Sequence, residues 1–140
     1  MFRPNLVTTA LVAAILALPA GASGQSTAQA VSHMIVVKLV EKGGALPYAF
    51  EPANVVAQHG DTLRFIEAAA VMHNVRFTKH ARGAKLGAAE SGPYLTTKGQ
   101  TYDLVIDKRF TDGTYEYVCD PHAAIGMKGT LVVGSDVTPK

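Results

Sequence analysis

From residue 33 onward the apolar residues recur with a period of two, never for long with a period of 3.6, and Gly, Pro and Asp interrupt them at short intervals. That pattern restricts the chain to short strands. Ile35, Val37 and Leu39 alternate with Val36 and Lys38 and predict a first strand. Val55 to Gln58 predict a second, closed by the turn His59-Gly60-Asp61, and Thr62 to Glu67 a third with Leu63 and Phe65 on one face. His73, Val75 and Phe77 share a face of the next, opposite Asn74 and Arg76. Gly99 ends a turn before Thr101 to Asp107, where Tyr102, Leu104 and Ile106 line up. Asp112-Gly113 precedes Thr114 to Cys119, and Gly129 to Val133 closes the series. Residues 79–93 break the alternation and predict a loop with a single helical turn. Roughly seven strands at this spacing indicate an all-β sandwich.

The ends of the 140-residue chain read differently. Arg3, an apolar run from Leu6 to Leu18, and Ala20-Gly21-Ala22 as a small-residue cleavage site predict a signal peptide over residues 1–22. The run is shorter than the roughly 18–20 residues that span a bilayer, so export is expected, with no stable membrane association after cleavage. A second cut after Ala30 would place His33 third from a free amine, a divalent-ion chelate; otherwise His33 simply opens the first strand. Residues 23–32 are small and polar and read as a disordered lead-in, 33–135 as one domain, and 136–140 as a tail. Losing Arg3 takes the formal charge of +2 to +1, which argues against nucleic acid as a partner. One cysteine, Cys119, cannot form an internal disulfide, and an exported free thiol is a liability unless buried or bound.

The residues around that cysteine suggest what occupies it. Cys119, His122 and Met127 follow one another as Cys-x2-His-x4-Met, and His73 lies 46 positions upstream in Met-His-Asn-Val. Strand phase directs Tyr115, Tyr117 and Cys119 to one face, and puts His73 with the apolar Val75 and Phe77, so both donors point inward. The loop from Asp120 to Gly126 then returns His122 and Met127 to the same end of the sandwich. Two imidazoles, a thiolate and a thioether are the donors of a blue-copper site cycling between Cu(I) and Cu(II), one ion per chain. Taken singly, Cys119 reads as a buried small hydrophobe, Met127 as core filler and His73 as a satisfied core histidine; all three must hold together to displace the metal reading. Zinc is the rival ion, but it prefers four strong ligands or an open water position. A catalytic cysteine would need an accessible activated thiolate, so an enzyme is not expected.

The segments Phe50-Glu51-Pro52, Gly60-Asp61-Thr62, His73-Asn74-Val75, Tyr115-x-Tyr-x-Cys119-Asp-Pro121-His122 and Gly126-Met127-Lys128-Gly129 resemble the small blue copper proteins of the cupredoxin family, plastocyanin and pseudoazurin. The resemblance spans nearly all of residues 33–134 and implies an eight-stranded Greek-key β-sandwich or barrel that carries single electrons. It gives the ligand roles to His73, Cys119, His122 and Met127. It also implies that the Asn74 N–H donates to the Cys119 sulfur while its side chain ties the two ligand segments together. Pro121, lacking an N–H, adds no donor there. Val118 stands where photosynthetic relatives carry a surface Tyr, and their acidic patches are not evident, which favours a respiratory or other bacterial partner in a periplasmic setting.

Partner contact is expected where the His122 edge meets solvent, among Met72, Ala124, Ile125, Leu46 and Pro47. A small apolar patch of this kind suits brief docking by a monomer with redox proteins. Arg76, Lys79, His80, Arg82 and Lys85 form a stretch without an acid. It reads either as a solvated loop or as a surface steering an acidic redox partner, with Lys79 at its centre. The alternative function is copper binding or delivery without redox turnover.

Overall fold

The computed structural model describes residues 31–134, so the predicted signal peptide, most of the lead-in and the C-terminal tail lie outside the described residues. Eight strands form two four-stranded sheets. β1 (Met34–Glu41), β2 (Tyr48–Glu51), β4 (Thr62–Glu67) and β6 (Thr101–Val105) make the first, in the order β2-β1-β4-β6. β3 (Asn54–Ala57), β5 (Arg76–Lys79), β7 (Gly113–Val118) and β8 (Lys128–Val133) make the second, in the order β3-β8-β7-β5. β1 runs parallel to β4, β3 runs parallel to β8, and the other pairs are antiparallel. The all-β sandwich expected from the alternation is therefore present.

The alternation also explains the core. Val37 and Leu39 of β1, Leu63 and Phe65 of β4, Tyr115 and Tyr117 of β7, and Leu131 and Val133 of β8 are all buried between the sheets. Period-two spacing puts each of these pairs on one face of its strand. Tyr117 sits at the centre, edge-on to Phe50 at 4.9 Å, to Phe77 at 5.7 Å and to Phe65 at 5.9 Å between ring centroids. Its hydroxyl donates to the Ala53 carbonyl at 3.3 Å. Edge-to-face pairs of this kind contribute about 0.5–1.5 kcal/mol each beyond the area they bury. Below it, the Tyr115 hydroxyl donates to the Thr111 carbonyl and accepts the Thr111 N–H, both at 2.8 Å, fastening the turn before β7.

Three local features go beyond the sequence reading. β2 was not anticipated; it pairs antiparallel with β1 from Lys38↔Glu51 to Glu41↔Tyr48. The turn within residues 79–93 is a 3-10 turn at Gly87–Glu90, and a second such turn, Asp120–Ile125, follows Cys119. Asn74, assigned by phase to the face opposite His73, is itself buried, because Asp120 takes its side chain. Regular pairing starts only at Arg76; His73 is held by a bridge to Leu95, its N–H donating at 3.0 Å and its carbonyl accepting at 2.7 Å.

At one pole of the sandwich β4 and β7 end while β2, β5 and β8 begin. Glu67, Tyr48, His73, Cys119 and Met127 all stand at these strand ends. The same pole receives the second 3-10 turn.

Candidate metal centre

Cys119 leaves β7 in extended conformation, and its phase with Tyr117 turns the thiol inward, where it is fully buried. The chain then winds through the Asp120–Ile125 turn, with Pro121 in the first helical positions, where a missing N–H costs nothing. Gly126 stops the turn in the left-handed region (φ 91°), and its N–H donates to the Ala123 carbonyl at 3.1 Å. Two further bonds close the loop: the Cys119 N–H donates to the Met127 carbonyl and the Met127 N–H to the His122 carbonyl, each at 3.1 Å. Three donor-bearing residues are thereby braced by backbone alone.

Within that loop Cys119 Sγ and His122 Nδ1 stand 3.4 Å apart. Two donors sharing one ion at metal–sulfur and metal–nitrogen lengths of 2.3 and 2.0 Å would be separated by about 3.5 Å. Met127 is fully buried, and so is His73, whose ring centroid lies 4.8 Å from that of His122. His73 Nε2 has no hydrogen-bond partner, the sole buried side-chain nitrogen or oxygen in that condition among the described residues. A core histidine kept for packing would have both nitrogens satisfied. Among the described residues no three His, Cys, Asp or Glu side chains converge on one point. Cys119 and His122 are a close pair, whereas the Nδ1 side of His73 is taken by Glu67 at 2.9 and 3.1 Å. The structure therefore brings Cys119 and His122 within reach of one ion, and buries His73 and Met127 at the same pole.

The surroundings tune these donors. Burial pushes the Cys119 thiol above its ordinary value, while the backbone N–H groups of Asn74 and His122 pull it down. The second donor is the N–H of the residue after Pro121, which the sequence reading did not identify. Burial, helped by the neighbouring His73, lowers the His122 pKa, which favours the neutral imidazole that a metal requires. Asn74 Nδ2 donates to Asp120 Oδ2 at 2.7 Å and Asn74 Oδ1 accepts the Asp120 N–H at 2.8 Å, joining the His73 segment to the Cys119 segment. Arg76 Nε donates to the other carboxylate oxygen of Asp120, and these contacts hold its pKa below the ordinary value.

Two residues at the site were not singled out from the sequence. Glu67 is the buried acid against His73. Tyr48, at the start of β2, lies over both imidazoles, its ring centroid 4.1 Å from that of His122 and 5.4 Å from that of His73. Around the partly exposed His122, the side chains of Leu46 (59% exposed), Met72 (51%) and Ile125 (43%) reach solvent, with Ala124 and Pro121 also exposed. Lys79 is exposed but ion-paired with Glu116 at 2.9 Å, and Arg76 is paired with Asp120, so two members of the basic stretch already have acids.

Comparison with known proteins agrees with the fold and with copper as the cofactor. A family model for copper binding proteins of the plastocyanin/azurin family matches residues 35–134. A plastocyanin from Ulva prolifera is 40% identical over 100 residues, covering 70% of this chain and 97% of that one. One from Scenedesmus fuscus is 38% identical over 101 residues, covering 71% and 98%. The pseudoazurin structure from Methylobacterium extorquens AM1 superposes with a TM-score of 0.53 at 30% identity, over 74% of this chain and 76% of that one. The chain belongs to the plastocyanin/azurin family of copper-binding proteins, the cupredoxins. Its cofactor is copper, one ion per chain.

Proposed function

We propose that this chain carries single electrons between transient protein partners through one copper ion held by His73, Cys119, His122 and Met127. The observation that carries the reading is the 3.4 Å approach of the buried Cys119 Sγ to Nδ1 of the partly exposed His122. The unpartnered His73 Nε2 and the buried Met127 at the same pole support it. Copper bound by such donors supplies a one-electron couple between Cu(I) and Cu(II).

The chain's own residues do the rest. Backbone bonds among Cys119, His122 and Met127, and the Asn74–Asp120 pairing, keep the donors in place whichever oxidation state is bound. Asn74 and His122 direct N–H groups at the sulfur, and the apolar packing around it excludes water, two levers on the reduction potential. His122 is the donor that reaches the surface, and Leu46, Met72, Ala124 and Ile125 around it offer a small apolar contact for a brief encounter. Lys79 is paired with Glu116, so the exposed Arg82 and Lys85 of the same stretch would supply most of any bias towards an acidic partner. Export by residues 1–22 would put the reaction outside the cytoplasm, in the periplasm.

The test is a Cu(II) titration of the chain lacking residues 1–22. One equivalent should produce an intense visible thiolate-to-copper band that bleaches and returns through reduction and reoxidation. Cys119→Ser should lose the band entirely. Stoichiometric uptake of colourless copper that cannot be reoxidised would replace the carrier with a delivery protein.

A further inference from the structure

We propose that Met72 is the landing residue for copper: its exposed thioether receives Cu(I) at the surface and hands it inward to the buried donors. The inference rests on reading His73, Cys119, His122 and Met127 as the ligands, and adds the route by which they are filled.

Most of those ligands cannot be the first to meet an incoming ion. His73, Cys119 and Met127 are each 0% exposed, and only His122 partly reaches solvent. Around it at the surface, Leu46, Pro121, Ala124 and Ile125 offer hydrocarbon alone, whereas Met72 brings a donor atom, a sulfur. Met72 is 51% exposed and stands immediately before His73. Neighbouring Cα atoms lie about 3.8 Å apart, so the thioether begins its reach one residue from a buried donor. The His73 ring is in turn 4.8 Å from that of His122, between centroids.

Exposure by itself proves nothing, since single apolar residues on a surface are ordinary. The molecule supplies its own control. Met34 is 53% exposed, as much as Met72, but it opens β1 beside Thr62, at the pole where β4 begins. β4 runs from Thr62 to Glu67, which at about 3.3 Å per residue sets that end roughly 17 Å from the donors. Of the methionines among the described residues, one is buried at the site, one stands at its mouth and one is remote.

A thioether is a soft, uncharged donor, suited to Cu(I). The unbranched methionine side chain has three rotatable bonds, so it can swing from solvent towards the pole while the backbone stays in place. No electron moves in the transfer. A bond from Cu(I) to a carrier with soft donors breaks as the bond to the Met72 sulfur forms. That bond is then exchanged for one to the Cys119 sulfur, whose thiol proton leaves to water. The thioether is the weaker donor of the two, so the exchange runs inward and Met72 is free again once the site is filled.

The experiment follows Cu(I) transfer to the metal-free full chain from its bicinchoninate complex, by loss of that complex's colour, over the range where the rate rises with protein concentration. Wild type is compared with Met72→Leu and Met34→Leu, changes that keep volume at an exposed position and remove the sulfur. Met72→Leu should load about tenfold more slowly, the factor for about 1.4 kcal/mol added to the barrier of the entry step. Its final occupancy, its blue band on oxidation and its rate of Cu(II) uptake should match wild type. Met34→Leu should load as wild type does. In metal-free Cys119→Ser, Ag(I), a redox-inert stand-in for Cu(I), should move the Met72 methyl NMR signal before that of Met34. Equal Cu(I) loading by Met72→Leu and wild type, equal slowing by Met34→Leu, or a Met72 methyl signal that Ag(I) leaves in place would overturn the landing role, while full occupancy left the ligand reading standing. An equal slowing of Cu(II) uptake would assign the effect to shape rather than sulfur, and overturn it as well. A wild type that never takes up one equivalent would overturn the ligand reading and the landing role with it.

Discussion

At the scale of single residues, Met127 separates a ligand from a packing residue. It is fully buried beside Cys119 and His122, and Leu has nearly its volume, so Met127→Leu should cost less than about 1.5 kcal/mol of stability. Copper should remain bound through the other three donors. The reduction potential should rise, because a thioether lends density to Cu(II) and a methyl group lends none. An unchanged potential in a redox titration would show that Met127 merely fills space. Much of this placement was legible beforehand: Cys119, His122 and Met127 lie within nine residues, and strand phase turns Cys119 inward. Glu67 was harder to see. Its phase, two residues beyond Phe65, marks it as inward, but its partner His73 lies past the strand end in irregular chain, where periodicity says nothing. Tyr48 escaped for a related reason, since its contact with His122 joins residues 74 positions apart.

At the scale of elements, β8 depends on one glycine. A Cβ on Gly129 would lie 2.5 Å from the Tyr117 ring and 2.6 Å from the Ala53 carbonyl oxygen, and neither can yield without disturbing the core or the β2–β3 turn. Gly129→Ala should therefore lose about 1–3 kcal/mol of stability, read from urea unfolding of the metal-free protein. Little loss would mean that the sheets separate more easily than their packing implies. Every strand except β2 was legible, each from two or more alternating apolar positions, such as Ile35, Val37 and Leu39 in β1, Leu63 and Phe65 in β4, and Leu131 and Val133 in β8. β2 has four residues between Pro47 and Pro52, too few for a period to declare itself, and it exists because β1 offers it a free edge. The second 3-10 turn was likewise read only as a loop, since Pro121 and Gly126 mark its ends but nothing inside it alternates.

At the scale of the whole molecule, Asp61 ties the N-terminal end of β1 to the turn before β4. Its carboxylate is 3% exposed and accepts the N–H groups of His33 and Gln58, each at 2.8 Å, with His33 Nδ1 at 3.2 Å. Burial alone would raise its pKa, but these bonds together outweigh burial and leave it below the ordinary value of 3.8. A carboxylate lowered on folding adds stability above its unfolded pKa, and that contribution disappears as the pH falls through the folded value. Asp61→Asn should be less stable than wild type at pH 7, and the gap should narrow below about pH 4. Parallel urea titrations at the two ends of that range check it; a gap independent of pH would assign the effect to shape rather than charge.

Because hydrogen bonds within its own backbone brace the terminal loop, the spacing of its candidate donors is set by the chain rather than by the ion they would hold. Exclusion by size is therefore weak, and a thiol-seeking ion of another element that arrives first would keep the place. Fidelity to copper then falls to supply: the compartment that fills the chain has to hold competing ions scarce at the moment of loading.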